Sequence, residues 1–160
     1  IVGKKRTVKR GKKISLKTVF KRTKKKGQKN VQSVKSSLDG ITFASNLEKF
    51  CYSKLKEEGL HNNLKYEGKT FIIADAFEYQ NKKYQAIKIT PDFVDEENRV
   101  IVECKGYLGQ NQLFPMRWKL MKKYFHDNNE DWDIHLVFNQ NEILTSINKL
   151  KTKYDELNGK

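Results

Sequence analysis

Residues 1–38 contain 15 Lys or Arg and no Asp or Glu, whereas residues 39–160 contain 18 basic and 19 acidic residues. The first stretch therefore carries +15 and the remainder −1, which together give the net +14 of the chain. Apolar residues such as Val8, Ile14, Leu16, Val19 and Phe20 are sparse in the basic stretch. It cannot bury enough surface to offset the conformational entropy lost on ordering. The expectation is a basic N-terminal arm over 1–38, disordered until it meets a polyanion, followed by a nearly neutral domain over 39–160.

A net charge of +14 attracts polyanions, of which nucleic acid is the commonest. An acidic membrane surface fits less well, because no basic amphipathic helix carries an aromatic anchor face. Cys51 and Cys104 are isolated and form no CxxC, which argues against both a zinc site and a disulfide framework. A reducing, intracellular and cytoplasmic setting is expected. No apolar run reaches membrane-spanning length, and no apolar segment follows the first basic residues as a secretory leader would require.

Within the domain, Leu47, Phe50, Cys51 and Leu55 form one apolar stripe, which predicts a helix over 45–58 that stops at Gly59. The runs at 71–79 and 83–89 flank Asn81 and Lys82 and read as a hairpin. Residues 90–94 and 99–105 read as two strands joined by the acidic turn at 95–98. A second helix is expected over 113–126, with Pro115 in its first turn and Phe114, Trp118, Met121 and Phe125 as its buried stripe. Residues 132–138 read as a strand. A last helix is expected over about 140–157, where Ile143, Ile147, Leu150, Tyr154 and Leu157 are spaced by four, three, four and three. That spacing suits a helix packed on the sheet, or a short coiled-coil seam. The order predicts an α/β or α+β domain with a mixed central β-sheet flanked by helices.

The chemistry is concentrated in ITPDFVDEENRVIVECKG, residues 89–106. Side chains at i and i+2 of a strand share a face, so Glu103 and Lys105 project together. The short turn makes the two strands antiparallel neighbours and brings Asp92 beside Glu103. Two carboxylates and one ammonium on one face suit phosphodiester hydrolysis. Carboxylate oxygens hold a hard cation such as Mg²⁺, and such an ion activates water and neutralises phosphate charge. Lys105 can then orient the attacking water or stabilise developing negative charge. The plainer alternative is a solvated surface pair, since Glu-x-Lys and Pro-Asp are each common alone. The ordered set of Pro-Asp, short turn, apolar Val100-Ile101-Val102 and Glu-x-Lys-Gly favours the catalytic reading.

Pro91, Asp92, Glu103 and Lys105, with the apolar run before Glu103, resemble the PD-(D/E)xK nuclease superfamily. The resemblance implies a restriction-endonuclease-like core and a Mg²⁺-dependent endonuclease in which Mn²⁺ can substitute. It implies Asp92, Glu103 and Glu48 as metal ligands and Lys105 as the catalytic lysine, Glu48 standing where the superfamily often adds a glutamate from an upstream helix. Residues 41–138 look most like phage endonuclease I-type Holliday-junction resolvases, with transposon-encoded and small phage endonucleases as rivals. This implies branched DNA as substrate, a role in DNA recombination, a phage origin in a bacterial host, and a homodimer, because two symmetric cuts need two sites. Glu48 has a local alternative: Ser45-x-x-Glu48 is a capping box, in which Ser45 caps the helix and Glu48 reaches back to its backbone N–H.

Other candidates are weaker. Asp75 and Glu78 lack a lysine at i+2. His61, His126 and His135 show no ligand spacing, and His135, alternating with Ile134 and Leu136, is expected to face away from the core. Gln110 and Gln112 read as a polar loop, and Cys51 as core. For nucleic-acid contact the candidates are Lys12, Lys13, Lys21, Arg22, Lys24, Lys25 and Lys26 in the arm, which would grip phosphates without reading sequence. Arg117, Lys119, Lys122 and Lys123 on the second helix would add a strip. Two further functions stay open: a duplex or nicking endonuclease of restriction, repair or transposition type, and a non-catalytic DNA-binding or packaging protein on a nuclease scaffold.

Overall fold

A central strand with every residue buried, Val100–Cys104, organises the domain. The computed structural model describes residues 35–106 and 113–159. The expected arm residues Lys12, Lys13, Lys21, Arg22, Lys24, Lys25 and Lys26, and the loop residues Gln110 and Gln112, lie outside the described residues. In chain order the described elements are β1 (Ser36–Leu38), β2 (Ile41–Phe43), α1 (Asn46–Glu57), β3 (Lys65–Tyr66), β4 (Phe71–Ala74), β5 (Phe77–Tyr79), β6 (Lys82–Tyr84), β7 (Ile87–Ile89), β8 (Phe93–Asp95), β9 (Val100–Cys104), α2 (Leu113–Asp127), β10 (Asp133–Val137) and α3 (Gln140–Leu157). The class is mixed α/β, as expected.

The main sheet has the order β10-β9-β8-β3. β9 pairs antiparallel with β8 and parallel with β10, and β3 pairs antiparallel with β8, so the sheet is mixed. The β8–β9 turn is held by Asp95, whose Oδ1 accepts the Asn98 N–H at 3.1 Å. Such side-chain-to-backbone bonding within a few residues is why aspartate favours turns.

Alternation along β9 sorts the core into two layers. Phe93, Val100, Val102, Cys104 and Val137 pack with Cys51 and Leu55 of α1 and Ile143, Ile147, Leu150 and Tyr154 of α3. Val94 and Ile101 pack with Trp118, Met121 and Phe125 of α2, and with Phe71 and Ile89. Each fully buried Val, Leu, Ile or Phe side chain stabilises by about 1.5–3 kcal/mol, so β9 is clamped from both faces.

Two expectations change. Residues 36–38, read as the end of the arm, form β1 and pair with β2 across a turn in which Asp39 and Gly40 both have positive φ. Such a turn matches the twist of a two-residue hairpin. The expected long hairpin is broken in two: β4 pairs with β7 across a register shift, and β5 pairs with β6. Its turn residues are Gln80 and Asn81, at φ +50° and +58°, one position earlier than read. The expected packing of the last helix on the sheet is observed: the four-three stripe of α3 is buried in its own domain from Ile143 to Tyr154, with Leu157 exposed. That stripe therefore provides no coiled-coil seam for a dimer.

His135 also differs from expectation. Both faces of the sheet are covered, so facing away from α2 places it against α3, where Nδ1 lies 3.0 Å from Ser146 Oγ. Among the described residues no helix is long and apolar enough to cross a membrane.

Candidate active site

The β8–β9 register pairs Phe93 with Val102, Val94 with Ile101 and Asp95 with Val100. Extending it by one residue sets Asp92 opposite Glu103. The two acids lock together through backbone: Glu103 Oε2 accepts the Asp92 N–H at 3.0 Å, and Asp92 Oδ2 accepts the Cys104 N–H at 2.7 Å. Lys105 follows β9, and its N–H donates to the Val137 carbonyl at 2.8 Å, which continues the β9–β10 ladder. Its Nζ lies 2.7 Å from Glu103 Oε1 and 4.7 Å from the centroid of the Phe114 ring. Asp92, Glu103 and Lys105 thus converge at one end of the sheet, beside the start of α2.

Burial dominates the electrostatics. Asp92 is 8% exposed and Glu103 3%. Desolvation, then repulsion from Glu103, pushes the Asp92 carboxyl up to about 8, against the Cys104 N–H that favours its ionised form. Glu103 is also raised, first by burial, while Lys105 opposes the rise. Burial lowers the Lys105 ammonium, but attraction to Glu103 more than offsets this and its pKa is raised. A solvated surface pair would feel neither effect at this strength, so the bland reading of Glu-x-Lys does not describe these residues.

Glu48 sits in the first turn of α1 and is buried. The Ser45 half of the capping box is formed, the Glu48 N–H donating to Ser45 Oγ at 3.2 Å, while Glu48 Oε1 accepts the Ser45 hydroxyl at 2.7 Å in place of the Ser45 backbone N–H. Glu48 Oε2 accepts the Ala44 N–H at 3.0 Å and the Tyr66 hydroxyl at 2.7 Å. Its charge still acts on Asp92, Glu103 and Lys105. Among the described residues, however, it makes no hydrogen bond or ion pair with any of the three. The structure therefore brings Asp92, Glu103 and Lys105 into contact and keeps Glu48 within electrostatic range.

The sequence did not assign two contributors to the site. Tyr66 lies on a two-residue strand and holds Glu48; burial first, and then its hydrogen bond to Glu48, raise the phenol pKa. Phe114 was legible as part of an apolar stripe, but not as the ring beneath the Lys105 ammonium. Arg117, Lys119, Lys122 and Lys123 are exposed on α2 as expected, and Lys123 pairs with Asp127 at 2.7 Å. Asp75 and Glu78 are exposed and lie outside the cluster. Cys51 and Cys104 are buried free thiols.

Among the described residues no group of three or more His, Cys, Asp and Glu side chains is arranged to hold a metal ion. Two buried carboxylates do suit Mg²⁺, which is held by one or two such groups and completes its shell with water and phosphate oxygens. The raised Asp92 and Glu103 mark a site where added positive charge would relieve both burial and repulsion. The residues present fit a hard cation held by Asp92 and Glu103.

A family profile described as "Protein of unknown function (DUF1064)" matches residues 28–140. The match takes in α1, all four strands of the main sheet, and Glu48, Asp92, Glu103 and Lys105. No curated protein and no solved structure matches the chain. With well over half its length covered, the chain belongs to the DUF1064 family.

Proposed function

We propose that this chain is a divalent-metal-dependent endodeoxyribonuclease with a restriction-endonuclease-like catalytic core, acting on branched DNA. The observation that carries the reading is the contact of Asp92, Glu103 and Lys105 at the end of β9, two buried acids interlocked through backbone and one lysine paired to the second. A bound Mg²⁺ or Mn²⁺ would supply Lewis acidity toward water and the scissile phosphate. Asp92 and Glu103 would hold that ion. Lys105 would exchange part of its contact with Glu103 for a phosphate oxygen, or for the attacking water, and so stabilise charge that develops during bond cleavage. The Phe114 ring keeps the ammonium near the site by cation–π attraction.

The basic arm supports a polyanionic substrate, since the remainder of the chain is nearly neutral. The preference for branched DNA and the homodimer rest on resemblance to junction resolvases. The proposed dimer must use a surface other than the buried stripe of α3.

Labelled four-way junction, flap and linear duplex, incubated with Mg²⁺ or EDTA, test the reading. The expected result is junction cleavage that needs Mg²⁺ and is lost in Glu103→Gln. Equal cleavage of linear duplex would point instead to a duplex or nicking endonuclease. Binding of DNA without cleavage would point to a non-catalytic scaffold.

A further inference from the structure

The β5–β6 hairpin belongs to neither buried core, yet it is rich in aromatic residues. Its register pairs Phe77 with Tyr84, Glu78 with Lys83 and Tyr79 with Lys82. Strand alternation therefore puts Phe77, Tyr79, Lys82 and Tyr84 on one face, and Glu78 and Lys83 on the other. Phe77 is 58% exposed, Tyr79 61% and Tyr84 38%. The Phe77 and Tyr84 rings stack, with centroids 4.8 Å apart and planes 9° from parallel. Lys82 Nζ lies 5.4 Å from the Tyr84 ring centroid.

A two-stranded ribbon is marginally stable alone in water. Three exposed rings on one of its faces are an unusual expense unless a partner covers them. The partner's chemistry follows from the mixture. Protein interfaces favour aromatics but are depleted of lysine in their cores, whereas here Lys82 shares the face of the rings and lies over Tyr84. Flat rings with an ammonium group among them match a strand of unpaired nucleotides, whose bases stack while a phosphate meets the lysine. Bases in a matched duplex hide their faces from such a ribbon.

We propose that the Phe77–Tyr84 face of the β5–β6 hairpin binds unpaired nucleotides of DNA by stacking. The choice of DNA rests on the nuclease reading above, and the inference deepens it by naming the feature of a branched substrate, its unpaired bases, that the protein would hold.

The test measures binding of the full chain to labelled oligothymidylate and to matched duplex, in EDTA and at moderate salt, where the phosphate term of the basic arm is weakened. Phe77→Ala/Tyr84→Ala is expected to weaken oligothymidylate binding by about five- to a hundredfold. Duplex affinity should stay within about twofold, and Tyr84→Phe, which keeps the ring, should bind as the parent does. Unchanged oligothymidylate affinity in the double variant overturns the proposal. So does an equal loss for both probes, or loss of a dimer in sedimentation with oligothymidylate affinity intact, which would make the face a contact for a second copy. Glu103→Gln cleavage assays run in parallel. Absence of Mg²⁺-dependent cleavage by the parent chain sinks the nuclease reading alone, and unchanged oligothymidylate binding in the aromatic variant sinks this one alone.

Discussion

Glu103 accepts the backbone N–H of Asp92 at 3.0 Å, and Asp92 in return accepts the N–H of Cys104 at 2.7 Å, so each acid pins the strand that carries the other. This reciprocity lets chemistry be separated from folding. Gln at 103 keeps an oxygen for the Asp92 N–H but loses the charge that pairs with Lys105. Glu103→Gln should therefore remain folded and bind DNA at low salt, while cleavage falls by about a hundredfold or more. A mobility-shift assay in EDTA beside a timed digest in Mg²⁺ reads both. Near-normal cleavage would remove Glu103 from the reaction.

The same burial makes Asp92 costly to the fold. Burial and the neighbouring Glu103 push its carboxyl up to about 8, from 3.8 for an ordinary aspartate. Between those values the native state holds a proton that the unfolded chain has released. The stability this group contributes is thus complete below about pH 4 and is lost as pH rises toward 8. Asn cannot ionise and can still accept the Cys104 N–H. In EDTA, Asp92→Asn should match the parent melting temperature near pH 4. It should exceed it by several degrees near pH 8, a gain on the order of 1–4 kcal/mol. A difference that does not grow with pH would show that Asp92 is not desolvated as described.

His135 has the opposite slope. Burial against α3 depresses its pKa, with Asp133 opposing, so the native ring is neutral where the unfolded ring takes up a proton. The stability contributed is present above about pH 6.5 and is lost as pH falls through that value. Gln at this position can still bond Ser146 but does not titrate. Urea midpoints at pH 7.5 and 5 should fall further for the parent than for His135→Gln, and parallel changes would remove His135 from the acid response.

Truncating the arm calls for a revised boundary. Cutting after Leu38, where the charge pattern changes, would delete β1 and strip its partner strand β2. Removing residues 1–34 instead takes away 14 of the 15 arm charges and spares the hairpin. That variant should keep the parent melting temperature, bind duplex DNA more weakly, and show a flatter plot of log affinity against log salt. An unchanged slope would mean that the arm does not release counterions from DNA.

What could be read from the residues depended on how local the cause was. The helices were legible almost to the residue because the α1 and α3 stripes and the Ser45 cap are short-range signals. The Asp92–Glu103–Lys105 contact was legible because a tight turn fixes register, and register fixes faces. β1 was missed because three residues cannot outweigh the charge of the sequence before them, although Asp39-Gly40 announced the turn. The covering of His135 by α3 and of Lys105 by Phe114 depends on where distant helices dock, which no spacing along the chain encodes.

Glu48 is where the cap and the chemistry can be told apart. Both of its oxygens are engaged locally, by Ser45, Ala44 and Tyr66, yet its charge reaches Asp92 and Glu103. Ser45→Ala removes the cap oxygen and should cost about 1 kcal/mol of stability. Glu48→Gln keeps an acceptor oxygen, loses the charge, and should cost a similar amount. If Glu48 were only a cap, the two variants would cleave alike once corrected for the fraction folded. The proposed site instead needs the carboxylate's negative potential to attract a cation between Asp92 and Glu103. Glu48→Gln should therefore lower cleavage at least about tenfold further than Ser45→Ala at equal stability, an effect worth roughly 1.4 kcal/mol. The gap should narrow as Mg²⁺ is raised, because a weakened cation site is refilled by mass action. Equal activities at every Mg²⁺ concentration would leave Glu48 as a helix cap and reduce the site to Asp92, Glu103 and Lys105.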